Sequence, residues 1–221
     1  MRGGIMQAEC GKPHLFRISD PDETDIAFRT SGFVGTFADR VLTNTSQSRC
    51  LMLQTVEESE IMPVNEKSGR KRARRKRDVY RNFPVRKWLE QRYSSAYMRD
   101  PLMDLGIMTD TLETAVTWDK LLNVWKAAHE YVSRRPKAFM MIHISHVYEN
   151  GANLYFTFLS PMEKGNEKQD FASFHRGLVE TILAHGGSIS HHHGVGRVLA
   201  PWMEGTWVKV PWSCSGREKA S

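Results

Sequence analysis

The chain reads as an α+β domain, with an antiparallel, ferredoxin-like sheet carrying helices on one face. Three observations predict this. From residue 106 onward the apolar periodicity gives strand, helix, strand, strand, helix, an order that layers helices against an antiparallel sheet. The two central strands are joined by "ENGAN", residues 149–153, a hairpin signal in which Gly151 is expected to take a positive φ. The two helical stretches are amphipathic, so each presents one apolar face to a sheet.

In chain order, "HLFRIS" (14–19) predicts a short strand and "DPDETD" (20–25) a turn and helix start, with Asp20 as N-cap. "RCLMLQTV" (49–56) predicts a buried strand. Residues 57–81 are polar, then strongly basic, and read as a helix of uncertain length grading into a loop. "WLEQRYSS" (88–95) predicts a short helix ending near "YMRDP". "GIMTDTLETAV" (106–116) is a strand by its Thr, Ile and Val content. Thr117 is placed to cap a helix over 118–133, where Trp118, Leu121, Trp125, Ala128 and Val132 recur at helical spacing and Pro136 ends the run. "AFMMIHISHVY" and "NLYFTFL" form the hairpin strands. Residues 169–185 predict the last helix, with Phe171, Phe174, Leu178 and Ile182 on one face and a Gly cap at "HGG".

The 221 residues are 40% hydrophobic, enough for one core. The net charge of +6 is concentrated in "RKRARRKR" (70–77), whose cations around Ala73 exceed the whole excess. The remainder is close to neutral, so the chain is not a general nucleic-acid binder. Cys10, Cys50 and Cys214 are odd in number and lack Cys-x-x-Cys spacing, which argues against a disulfide framework and fits a reducing compartment. No apolar run approaches the ~20 residues of a membrane span. "MRGGIMQAEC" has no secretory apolar core.

The most unusual stretch is "SHHHGVG", residues 190–196. Zinc sites use ligands that converge from spaced positions. Adjacent residues of an extended chain point to opposite sides, and no Cys or carboxylate cluster lies nearby in sequence. A metal is therefore not expected. A bland polar loop is the competing reading, but imidazoles are costly to bury unpartnered, and flanking glycines admit close approach of a ligand. Binding or proton transfer is the better assignment.

"ILAHGGSISHHHGVGR" resembles the characteristic segment of the alkyldihydroxyacetonephosphate synthases, FAD enzymes of the vanillyl-alcohol-oxidase-type FAD-linked oxidase and transferase superfamily. "FRISDPDET", "YMRDPLMDLGIMTDTLETAVTWDKL" and "SHVYENGANLYFTF" resemble further segments of that family in the expected order. The likeness covers about residues 1–200. It implies the substrate-binding cap domain of a flavoenzyme that exchanges the acyl group of acyl-dihydroxyacetone phosphate for a fatty alcohol in ether-lipid synthesis, with FAD as electron sink.

By this resemblance Tyr155 matches the family's acid/base tyrosine. The residues agree: Tyr155 and Thr157 share one strand face, which can be wet, while Phe156 and Phe158 share the other. Arg99 matches a substrate-binding arginine, suited to a phosphate through bidentate hydrogen bonds; an ion pair with Asp100 or Asp104 is its other reading. Arg17 matches a second cavity arginine, against a solvated strand position. His191, His192 and His193 match the histidine run beside flavin and substrate, and one of them can shuttle protons. His146 could face the same cavity, but a buried, satisfied histidine is the expected reading.

The resemblance also sets expectations about extent. Nothing here resembles the N-terminal FAD-binding domain, and residues 201–221 read as a divergent tail. The chain is thus expected to be a cap-domain piece, inactive alone, with a basic insertion at about 57–81. A homodimer of the full-length enzyme is compatible with the resemblance, as is a cytoplasmic location in a bacterium or a peroxisomal one in a eukaryote. Nucleic acid is not an expected partner. The alternatives are an FAD-dependent oxidase of a small hydroxy acid or alcohol, and a non-enzymatic basic binding module around 70–77.

Overall fold

Alternation along residues 151–161 sorts the side chains into an apolar set and a polar set, and the sheet is organised around that sorting. The computed structural model describes residues 15–29, 50–55 and 95–203. Its strands are β1 (Leu15–Ser19), β2 (Leu51–Thr55), β3 (Ile107–Thr117), β4 (Phe139–Ser145) and β5 (Gly151–Pro161). Its helices are α1 (Pro21–Arg29), α2 (Arg99–Asp104), α3 (Leu121–Ser133), α4 (Glu167–Ala184) and the single turn α5 (Gly196–Leu199). The strands form one sheet in the order β2-β1-β4-β5-β3, and every pairing is antiparallel.

The ferredoxin-like expectation holds in β3, α3, β4, β5 and α4. The unit β3-α3-β4 is a split crossover with β5 inserted between its strands. The strands β1 and β2 extend the sheet beyond β4. At the other edge, where a fourth ferredoxin strand would lie, the chain leaving α4 runs along β3 as a loop. Ser188 N–H donates to Ala115 O at 3.0 Å, Ala115 N–H donates to Ser188 Oγ at 2.9 Å, and Thr114 Oγ1 donates to Ser188 O at 2.6 Å. This docking delivers the histidine run to the sheet.

The apolar face holds the core. Leu112, Ile142, Leu154, Phe156 and Phe158 are buried against Leu121, Val124, Ala128 and Val132 of α3 and Phe174, Leu178 and Ile182 of α4. Asp20 caps α1 as expected, accepting Glu23 N–H at 2.9 Å. Its other oxygen meets His129 Nε2 at 3.0 Å and accepts from Trp125 Nε1 at 3.4 Å, fastening α1 to α3. The cap after α4 also forms as expected: Gly186 has φ 93° and Gly187 N–H donates to Ile182 O at 3.0 Å.

Two local expectations are corrected. The helix read from Trp118 starts at Leu121, because Trp118 is held in the hairpin turn, its Nε1 donating to Glu149 O at 3.0 Å and its N–H to Asn150 O at 3.2 Å. Gly151 does not take a positive φ; it is glycine because an added Cβ would lie 2.2 Å from Val116 O. Phe171 lies on the expected face of α4, half-buried and packed against the core. At "YMRDP" the described chain resumes: Ser95–Met98 is a 3₁₀ turn and Arg99 opens α2, where Pro101 is tolerated in the first turn. Residues 57–81, 88–94 and the tail from 204 lie outside the described residues.

Candidate active site

Directly opposed residues of paired strands share a sheet face. Register therefore places Glu113 of β3, Tyr155 of β5, His143 of β4 and Ser19 of β1 in one row across the polar face. Two neighbours of that row are also polar, since Asn153 lies two residues from Tyr155 and Arg17 two from Ser19. The face of Tyr155 is polar but largely closed to solvent: Tyr155 and Thr157 are half-buried and Glu113, His143, Asn153 and Ser19 are buried, while Phe156 and Phe158 are fully buried on the other face.

Glu113 organises the loop above this row. Its side chain is 2% exposed. Oε1 accepts the backbone N–H of His191 at 3.0 Å and those of His192 and His193 at 2.5 Å, plus Ser190 Oγ at 3.2 Å. Oε2 meets His192 Nδ1 in an ion-pair contact and accepts Asn153 Nδ2 at 3.4 Å. Successive N–H groups curled around one oxygen form an anion nest. Burial acts to raise the Glu113 carboxyl, but the backbone donors of His193, His192 and His191 outweigh it, and the net pKa is lowered. The carboxylate is accordingly ionised near neutral pH.

The rings cluster over the polar face. Tyr155 stacks on His143, with centroids 4.8 Å apart, and meets His193 edge-on at 5.3 Å. His191 Nε2 lies 2.9 Å from Tyr148 Oη, and its Nδ1 lies 3.0 Å from His192 Nδ1. His146 is exposed, not a buried satisfied histidine, and its ring lies 5.1 Å from that of His191 and 4.6 Å from that of His192. Its φ of 44° turns the hairpin so that the ring reaches the loop. Partial burial and the neighbouring His192 and His191 lower its pKa.

A second carboxylate underlies Tyr155. Glu23 of α1 lies 3.0 Å from His143 Nδ1 and accepts Arg17 at 2.5 Å. Burial acts to raise Glu23, yet the facing His143 and Arg17 bring it down to about 2. His143 is itself lowered by burial, which its hydrogen bond to Glu23 only partly offsets.

Of the residues predicted from sequence, Tyr155 and the three histidines converge. Arg17 belongs to the same face but is partly buried in the Glu23 pair, so it is not a solvated strand arginine. Arg99 is exposed at the start of α2, and its side chain pairs with neither Asp100, Asp104 nor the cluster among the described residues. Sequence reasoning missed Glu113, Glu23, His143 and Tyr148. A signal for Glu113 existed: a lone carboxylate in "TLETA", on the face that alternation assigns to solvent.

Glu113, His192 and His193 each bring one potential ligand atom within 4.8 Å of one another. Both Glu113 oxygens are engaged as acceptors, so a cation there would have to displace hydrogen bonds. The donor set suits the ring end of a flavin beside a polar substrate. Open space surrounds Gly194 and Gly196, and the exposed His192 and His193 with half-buried Tyr155 offer aromatic edges and ring nitrogens. Among the described residues no glycine-rich strand-to-helix turn is present to cradle a pyrophosphate.

These features place the chain in a defined class. It matches the family "FAD linked oxidases, C-terminal domain" over residues 4–220, and it belongs to that family. Curated relatives narrow the kinship. The chain is 40% identical over 128 residues to the alkyldihydroxyacetonephosphate synthase of Dictyostelium discoideum, covering 54% of this chain and 20% of that protein. It is 36% identical over 121 residues to the synthase of Caenorhabditis elegans, covering 50% of this chain and 20% of that one. A solved alkyldihydroxyacetonephosphate synthase structure superposes with TM-score 0.64 at 23% identity, over 88% of this chain and 38% of that chain, and so shares the fold. The chain spans about a fifth of the length of these curated relatives.

Proposed function

We propose that this chain supplies the substrate-facing cap portion of an FAD-dependent enzyme of the alkyldihydroxyacetonephosphate synthase type, which exchanges the acyl group of acyl-dihydroxyacetone phosphate for a fatty alcohol. The observation that carries this is the convergence of Tyr155, His143 and the His191–His193 loop on the polar face of the sheet, in a chain of that kinship. The hydroxy-acid oxidase and basic-module alternatives have no comparable support.

Bound FAD supplies the electron sink for exchange at the ester-bearing carbon. His191, His192, His193 and Tyr155 would flank its ring end. Tyr155 Oη takes the proton from that carbon and returns it. The stack on His143 fixes the tyrosine ring, and the His193 edge limits its swing. Arg17 and Arg99 offer guanidinium groups to the substrate phosphate, Arg17 from the polar face and Arg99 from the exposed start of α2. No metal is required.

The test is Tyr155→Phe in a chain completed with an FAD-binding domain. Acid/base groups contribute ~10²–10⁴-fold, so turnover should fall by that range while the fold is retained. Undiminished turnover would remove Tyr155 from the mechanism.

A further inference from the structure

We infer that Glu113 is a positioning residue that selects His192 from the three loop histidines: it holds His192 as the Nδ1–H tautomer and leaves its Nε2 as the nitrogen whose acceptor state is fixed. The inference rests on the proposed reading of the site, but its core is a statement about protons in this chain.

The contact with Glu113 sets the neutral tautomer of His192. An ionised carboxylate only accepts, so His192 Nδ1, in contact with Glu113 Oε2, must carry a proton. That nitrogen then cannot accept from His191 Nδ1, 3.0 Å away. His191 faces that N–H through Nδ1 and meets Tyr148 Oη, which can donate or accept, through Nε2 at 2.9 Å. The lowered pKa of Glu113 agrees with an accept-only carboxylate.

The three histidines are thereby distinguished. His191 has both ring nitrogens engaged and its side chain is 15% exposed. His193 meets Tyr155 edge-on, but no hydrogen bond to its ring sets its tautomer among the described residues. His192 has Nδ1 anchored on a buried carboxylate while its side chain is 42% exposed. A carboxylate on the far nitrogen fixes the ring's orientation and tautomer, so that the other nitrogen is the acceptor. His192 Nε2, turned away from the anchored nitrogen, is the atom that takes up and gives back a proton, passing through an imidazolium beside Glu113; the substrate proton itself stays with Tyr155, whose ring contact is to His193. Glu113 also holds the loop itself through three successive backbone N–H groups, so one residue sets both the loop's path and the tautomer.

The experiment is long-range ¹H–¹⁵N correlation on the full chain with ¹⁵N-labelled histidine at mildly alkaline pH. The His192 signals are identified by their loss in His192→Asn. The expected wild-type spectrum shows His192 protonated at Nδ1. In Glu113→Gln the amide oxygen can keep the backbone donors, but the amide nitrogen can only donate to His192, so the proton should move to Nε2. In a chain completed with an FAD-binding domain, the same variant should lose kcat by ~10²–10⁴-fold with KM within about twofold, the pattern of an interaction made at the transition state. Wild-type His192 protonated at Nε2 overturns the inference, as does an unchanged tautomer in Glu113→Gln. Should that variant fail to fold, the wild-type spectrum still decides. A tautomer that moves while turnover holds overturns the base assignment to His192 and leaves Tyr155 untouched. Loss of function confined to Tyr155→Phe and undiminished in Glu113→Gln separates this failure from failure of the broader reading, in which neither variant affects turnover.

Discussion

Tyr155 and Phe156 are sequence neighbours on β5, yet they belong to different regions of the molecule. Phe156 is fully buried on the helix-covered face. Tyr155 is half-buried on the polar face, stacked on one histidine and edge-on to another. One face is apolar and closed by α3 and α4. The other is polar, and its buried charges are each paired with an imidazole. The strand shows how one alternating sequence builds a core and a polar site back to back: a single step in register exchanges a core residue for one of the candidate site.

The comparison breaks most severely at Phe156. Phe156→Ala should lower stability by about 3–5 kcal/mol, the range for deleting a buried aromatic and leaving its cavity. Tyr155→Phe keeps the ring and its stack, so its stability cost should stay near the surface-substitution range of about 0.5 kcal/mol. Urea denaturation of both variants measures the contrast. Equal losses would show that the two faces share the work of folding.

Next in size is the acid sensitivity of the polar face. Glu23 is lowered from 4.5 to about 2. A carboxyl with a depressed folded pKa contributes stability that is fully present above its unfolded pKa and is lost as pH falls through the folded value. The contribution is on the order of 2–3 kcal/mol, shed between about pH 4.5 and 2. His143, also depressed, acts in the same direction below its unfolded value of 6.5. The difference in urea midpoint between wild type and Glu23→Gln should be large at pH 7 and close as pH drops toward 3. A difference independent of pH would mean that the Glu23 charge does not stabilise the row beneath Tyr155.

A smaller effect is expected where β5 begins. Gly151→Ala puts a Cβ 2.2 Å from Val116 O, a backbone atom that cannot rotate away. Overpacking of this kind costs about 1–3 kcal/mol. The hairpin would have to shift as a unit, carrying His146 and Tyr148 with it. A thermal melt unchanged from wild type would show that this close approach relaxes without cost.

How much of this was readable from the chain alone follows from the range of each interaction. The alternation of β5, the amphipathic faces of α3 and α4, the Asp20 cap and the Gly186 cap are local patterns, and each was legible. The start of α3 was not, because Trp118 continues the helical spacing while hydrogen bonds to Glu149 O and Asn150 O, on a hairpin thirty residues on, hold it outside the helix. The histidine run was conspicuous as residues, but its geometry was hidden. The carboxylate that shapes it is 78 residues earlier in sequence than His191 and reaches it only because the loop docks on the free edge of β3. The pairing of Glu23 with His143 spans 120 residues and is equally invisible to spacing rules.

The smallest expected effect concerns metal. Glu113, His192 and His193 are near enough to suggest a cation site, and the polar face would then be read as a metal centre and not a proton-transfer surface. The hydrogen bonding argues for the latter. Glu113 Oε1 already accepts three backbone N–H groups and a hydroxyl, and Oε2 is in contact with His192 Nδ1. A cation bound through Oε2 and His192 Nδ1 must expel the proton between them, and metal affinity falls by whatever that deprotonation and the lost contacts cost. A ligand that binds only the folded state stabilises by RT ln(1 + [L]/Kd), and near its Kd this is only about 0.4 kcal/mol. Zinc added in slight excess over protein without an affinity tag should therefore leave the melting temperature within about a degree of the untreated value. Elemental analysis of the same protein should find no stoichiometric zinc, copper or nickel. One tightly held metal per chain, absent in both His192→Ala and His193→Ala, would reverse the assignment and make Glu113 a ligand where it is now read as a clamp.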